Sequence, residues 1–91
     1  MRYTAKPSFL KLLHRLPVKR QHIVKDTLKQ IANFFEAGEH PKGLGLKKLR
    51  GDFWEVRVDI KDRIIFRLHR DVVEFVAIGG HNEIKKFLKG L

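Results

Sequence analysis

The residues best suited to chemistry gather in the second half of the chain. Glu55, Arg57, Arg63, Arg67 and His69 alternate with apolar residues, and His81 follows Gly79-Gly80. Alternate side chains of an extended segment fall on one face. The three arginines, the carboxylate and His69 would therefore share a surface with His81 at its rim. Like charges on one face repel unless something anionic sits among them. Two neutralisers compete for that role. One is the set of cross-strand carboxylates Glu55, Asp59 and Glu74, which form ordinary surface pairs. The other is the phosphate of RNA, which arginine grips bidentately with release of counterions.

The second option defines a reaction. Cleaving RNA internally requires a base for the 2′-hydroxyl, an acid for the departing oxygen and cations for the charge on the phosphorane. Glu55 or a histidine can take the proton, Arg57 and Arg63 can hold the phosphate, and His81 can donate or accept, because an imidazole changes protonation close to neutrality. Other chemistries find little support. The chain has no cysteine, which excludes a thiolate nucleophile, a disulfide framework and zinc sites built on Cys. The five histidines show no i, i+3 or i, i+4 pair, and Gly43-Leu44-Gly45 lacks the third glycine of a dinucleotide loop,. No metal and no nucleotide cofactor is expected. Ser8, the single serine, stands beside Pro7 at an expected helix start, where capping explains it better than nucleophilic attack.

Composition sets the partner. Twenty Lys and Arg against ten Asp and Glu give a formal net charge of +10 on 91 residues, a field that attracts polyanions. The same charge suits an acidic protein partner. Hydrophobic residues at 43% indicate a folded globule, and a chain this short is expected to form one domain over residues 1–91. The first residues lack an apolar signal segment, and the best apolar run, residues 72–78, is broken by Glu74 and too short to span a bilayer. A cytoplasmic protein with no membrane partner is expected.

The elements that must position these residues change period halfway along. Residues 2–6 suit a short edge strand. Phe9, Leu10, Leu13 and Leu16 recur at helical spacing between Pro7 and Pro17, and Val24, Leu28, Ile31 and Phe35 continue that spacing up to Gly38,. Lys25, Asp26, Lys29, Gln30 and Asn33 occupy the opposite, polar face. After a glycine- and lysine-rich connection over residues 38–51, three strands follow: Trp54, Val56 and Val58; then Ile64, Phe66 and Leu68; then Val73, Phe75 and Ala77,. Ile60-Lys61-Asp62 and Arg70-Asp71 mark the turns. The expectation is an α+β domain: an antiparallel sheet of three to four strands with a two-helix hairpin on one face and solvent on the other. Residues 82–91 form a final helix or tail with Ile84, Phe87 and Leu88 on one side.

This order, with Leu46-Lys47-Lys48-Leu49-Arg50-Gly51, Phe53-Trp54-Glu55-Val56-Arg57-Val58, Arg63-Ile64-Ile65-Phe66-Arg67 and Ile78-Gly79-Gly80-His81, resembles the RelE/ParE superfamily of toxins from toxin–antitoxin systems. The resemblance spans nearly the whole chain and favours the RelE/YafQ-like branch. It implies a ribosome-dependent, metal-independent endoribonuclease that cleaves mRNA and inhibits translation. It assigns catalysis to His81, Arg57 and Arg63, with Glu55 and with His40 of the His40-Pro41 pair. Lys47, Lys48, Arg50, Arg67, Lys85 and Lys86 are the expected RNA-binding cations. Two positions depart from the RelE pattern: Glu55 stands where a lysine is usual, and Phe87 is the nearest match to a C-terminal tyrosine. The implied partners are a cognate antitoxin, the ribosome and mRNA, with a toxin–antitoxin hetero-oligomer reaching operator DNA through the antitoxin. Two rival readings share the fold. One is a ParE-like toxin that inhibits DNA gyrase without nuclease chemistry, and the other is a degenerate basic binding module.

Overall fold

Proline and glycine punctuate the helical half as their backbone preferences require. Pro7 occupies the first turn of α1 (Pro7–Arg15) behind an extended Lys6, where its missing N–H costs nothing. Lys6, not Ser8, is the capping residue, and no side chain caps this end, so the expected capping role of Ser8 is corrected. Pro17 separates α1 from α2 (Val18–Ala37), and Gly38 ends α2 in the left-handed region at φ 69°, with its N–H on the Phe34 carbonyl. That conformation is cheap only for glycine.

The computed structural model describes residues 1–38 and 44–91. Its remaining elements are β1 (Arg2–Ala5), β2 (Gly45–Lys48), β3 (Phe53–Arg57), β4 (Arg63–His69), β5 (Val72–Gly79) and α3 (His81–Lys89). The five strands make one sheet in the order β1-β5-β4-β3-β2. β1 pairs with β5 in parallel and every other pair is antiparallel. The sheet thus has one strand more than the three or four expected. The addition is β2, whose Gly45-Leu46-Lys47-Lys48 carries no alternating apolar signal and is held as a strand by backbone pairing to the edge of β3.

The main core lies between the sheet and the helix pair. Val56, Ile64, Phe66, Val73 and Phe75 are buried against Phe9, Leu13, Val24 and Ile31, with Leu28, Phe35 and Trp54 at its border. This is the register anticipated from the alternation of β3 and β4. Phe66 sits at its centre. Trp54 stacks parallel to it at 6.4 Å, and Phe35 and Phe75 meet it edge-on at 5.8 and 6.1 Å. Burying each such aromatic stabilises the fold by about 1.5–3 kcal/mol.

The other face of the sheet is not left to solvent. A register shift at Ile65/Phe66 pairs Ile65 with Ala77 and Phe66 with Phe75, leaving Val76 as the extra residue. The bulge reverses the facing of the residues beyond it. Ala77 therefore turns away from the helix hairpin, contrary to expectation, and Ile78 takes its place in the main core. Ile65, Val76 and Ala77 form a second, smaller cluster with Ile84 of α3, bordered by Leu49, Phe53, Phe87 and Leu88. The C-terminal segment is thus a helix seated on the face that was expected to be open, and it narrows that face to a cleft.

Candidate active site

The cleft lies where the ends of β3 and β4 meet the first turn of α3. In the β3–β4 ladder Arg57 stands directly opposite Arg63, and Glu55 opposite Ile65. Period 2 places Glu55, Arg57 and Arg63 on the α3 side. Gly79 faces Arg63 across the β4–β5 ladder. Gly80 is the extended residue before α3, and His81 is the first residue of that helix. The chain thus turns within two glycines from strand to helix and sets an imidazole over the two arginines.

Arg63 is the hub. Its Nη1 lies 2.9 Å from His81 Nδ1, and its Nε lies 3.9 Å from Glu55 Oε2. A guanidinium has only donors, so Nδ1 of His81 must accept, and the proton of the neutral ring sits on Nε2. The contact thereby fixes the orientation of the ring against Arg63. Arg57 is exposed, and among the described residues no carboxylate lies within ion-pair distance of it. Its guanidinium is available to an external anion.

Lys47 and Lys85 complete the cationic wall, and Leu49, Ile84 and Leu88 supply an apolar floor to a cleft of about 290 Å³. The leading N–H groups of a helix have no partner within it and carry the positive end of the helix dipole. α3 presents that end here, at His81, and adds to the attraction for an anion. Larger hollows exist, one of about 360 Å³ around Arg2, Arg67 and His69 and one of about 450 Å³ between α1 and α3. In the first of these Arg2 faces Asp71, and Arg67 and His69 share Asp52, while Arg70 lines the same hollow with no carboxylate at ion-pair distance among the described residues. What sets the smaller cleft apart is an arginine held directly against an imidazole, with the exposed Arg57 beside it. Among the described residues no three His, Asp or Glu side chains gather as a metal site would need. No helix among them is long and apolar enough to cross a membrane.

The remaining expected residues separate. Arg67 shares the face, but its guanidinium lies 3.9 Å from Asp52 and lines other hollows. His69 is 3.3 Å from the same Asp52, at the far end of β4. Lys48 points to the helix-packed face, with Nζ 5.9 Å from the Trp54 ring centre. Arg50 is exposed in the turn before β3, and Lys86 faces the hollow between α1 and α3. Lys48 and Lys86 miss the cleft because a period of 2 in β2 and of 3.6 in α3 puts their neighbours Lys47 and Lys85 on the cleft side instead. His40 lies outside the described residues. Of the carboxylates read as alternative neutralisers, Glu55 approaches Arg63, whereas Asp59 is engaged with the turn after β3.

One element of the site's surroundings was not foreseen. Asp62, read from sequence only as a turn residue, is buried at 1% exposure and bound by both ends of the Arg20 fork. The two residues are 42 positions apart, and no local pattern links them.

No family model matches the chain, and no curated protein matches it in sequence. Solved structures do match in three dimensions. A chain of the RelB–RelE antitoxin–toxin complex from Methanococcus jannaschii aligns at 21% identity over 92% of this chain and 96% of its own, with a TM-score of 0.67. A chain of the Escherichia coli DinJ–YafQ complex aligns at 16% over 92% and 98%, with a TM-score of 0.68. The YoeB/ParE toxin from Agrobacterium tumefaciens aligns at 18% over 89% and 99%, with a TM-score of 0.66. The fold is therefore the RelE/ParE-like fold that the sequence motifs suggested. At these identities the likeness speaks for the fold, and the chemistry must be argued from the cleft.

Proposed function

We propose that this protein is the toxin of a toxin–antitoxin pair and acts as an endoribonuclease on mRNA at the ribosome. The carrying observation is the convergence of Glu55, Arg57, Arg63 and His81 on one cationic cleft. In this reading Arg57 and Arg63 bind the scissile phosphate and stabilise the charge of the phosphorane. His81 and Glu55 divide the proton transfers. One accepts the 2′-hydroxyl proton as O2′ attacks phosphorus, and the other supplies a proton to the departing 5′-oxygen, leaving a 2′,3′-cyclic phosphate and a 5′-hydroxyl. Lys47 and Lys85 hold the flanking backbone. A cognate antitoxin that is acidic where it contacts this chain completes the pair, consistent with the +10 charge and with the antitoxin–toxin complexes that share the fold.

The test is cleavage of a translated message by the purified protein, with and without ribosomes, followed by mapping of the 5′ ends. The expected result is ribosome-dependent cleavage that His81→Ala and His81→Gln each reduce by about 10²- to 10⁴-fold, with RNA association retained. Cleavage at the wild-type rate by both variants would remove His81 from the proton-transfer role. Growth arrest with intact message and inhibited supercoiling would instead identify the gyrase-directed alternative.

A further inference from the structure

We propose that Arg20 and Asp62 are a positioning pair that sets the geometry of Arg63 and His81; the inference rests on the reading of the cleft as a ribonuclease site. Among the described residues Asp62 is the one charged side chain that is buried, at 1% exposure. Arg20 of α2 donates from Nε to Oδ2 at 2.8 Å and from Nη2 to Oδ1. The main chain of Asp62 is fixed as well. Its N–H donates to Asp59 Oδ1 at 2.7 Å, and its carbonyl accepts from the Val58 N–H at 2.9 Å. The same Asp59 oxygen accepts the Lys61 N–H at 2.9 Å. The whole turn from Val58 to Asp62 is thereby clamped to the N-terminal part of α2.

Both outlets of this turn lead to the cleft. The next residue is Arg63. On the other side, a Cβ placed on Gly80 would lie 3.4 Å from the Lys61 carbonyl oxygen, so the turn's backbone abuts the residue that precedes His81. Gly79 is pressed in the same way: a Cβ there would come within 2.8 Å of the Glu83 Cβ, and Gly79 is the ladder partner of Arg63. A continuous packed path therefore runs from Arg20 through Asp62 and the turn to the start of α3. Asp62 is buried while the Arg20 side chain stays 36% exposed; desolvating even one member offsets much of the attraction, and the best-attested use of such pairs is to specify one arrangement among several. A bidentate fork is suited to that task because it fixes direction as well as distance. The arrangement specified here is the one in which Arg63 meets Nδ1 of His81.

Three variants test this. Arg20→Lys keeps the charge and loses the fork, Asp62→Asn keeps the shape and loses the charge, and Val24→Ala, in the same helix, lowers Tm without touching the turn. Two readouts are compared on folded protein: kcat and KM for message cleavage, and the 15N resonances of the His81 ring in RNA-free protein. The expected result for Arg20→Lys and Asp62→Asn is a fall in kcat of about 10- to 100-fold, with KM within about twofold of wild type and shifted His81 resonances. Val24→Ala should keep wild-type kcat and resonances despite its lower Tm. Wild-type kcat and unshifted His81 signals in both pair variants would overturn the proposal and reduce the pair to ordinary structural support. If Asp62→Asn does not fold, Arg20→Lys alone decides, because it leaves the buried carboxylate neutralised. If wild-type protein cleaves no message, the ribonuclease reading fails, and the resonances still report whether the pair positions His81.

Discussion

The two arginines of the cleft differ in what holds them. Arg63 is engaged by His81 and lies near Glu55, while Arg57 is exposed on the opposite strand. Arg57→Ala should therefore be silent for folding, within about 0.5 kcal/mol. Measured as log Kd against log salt, it should lower the slope of RNA association by about 0.7, the share of one single-strand phosphate contact. An unchanged slope would remove Arg57 from the phosphate site. Arg63→Ala should lose the same increment and in addition release His81. A second residue-scale expectation concerns Tyr3, the only tyrosine, whose hydroxyl donates to Glu36 Oε1 at 2.7 Å. Burial first, and then the Glu36 carboxylate, push its pKa up to about 12. The folded state thus holds this proton more tightly than the unfolded chain, whose phenol titrates near 10. The contribution to stability is complete below about pH 10 and is lost as pH rises toward 12. Absorbance titration of the single phenolate checks the midpoint, and Glu36→Gln should lower it. Residues were legible in the sequence where alternation exposed them: Glu55, Arg57 and Arg63 come together as their spacing requires. Asp62 was not legible, because its partner is brought to it by the tertiary fold.

At the scale of elements the decisive event is the irregularity between β4 and β5. Alternation alone carries Val73 and Phe75 into the main core and sends Ala77 after them. The extra residue Val76 instead turns Ala77 to the other face, where Ile65 and Ile84 meet it. Bulges leave no composition signal, which explains why β3 and β4 could be read and the end of β5 could not. The short edge strand β2 was hidden for a different reason, since four residues with adjacent lysines show neither period. The junction of β5 with α3 supplies the element-scale test. Adding a methyl group in Gly79→Ala would force it to within 2.8 Å of the Glu83 Cβ, closer than packed atoms tolerate, so the first turn of α3 must move. Overpacking of this kind costs about 1–3 kcal/mol. The expected outcome is a lower Tm in thermal unfolding together with reduced cleavage, because His81 moves with that turn. Unaltered Tm and cleavage would show that the junction adapts without shifting the imidazole.

For the whole molecule, the net charge of +10 makes association with an acidic partner a steered process. The association rate for the proposed antitoxin should fall steeply from low to physiological salt, while dissociation changes little; stopped-flow measurements at two ionic strengths decide this. The hydrophobic interior, by contrast, is divided. Among the described residues eleven buried side chains form the core under the helix hairpin, and four form the cluster beneath α3. A segment anchored by so few apolar groups can detach while the rest stays folded. Amide hydrogens of α3 should then exchange with solvent at a smaller opening free energy than those of β4 and β5, whose release requires global unfolding. In a native-state exchange series at rising denaturant, the α3 amides should form their own isotherm below the one shared by the central strands. Because His81 heads that helix, each such excursion would carry the imidazole away from Arg63 and disassemble the cleft, so the fraction of molecules holding an intact cleft would be set by the anchoring of Ile84, Phe87 and Leu88.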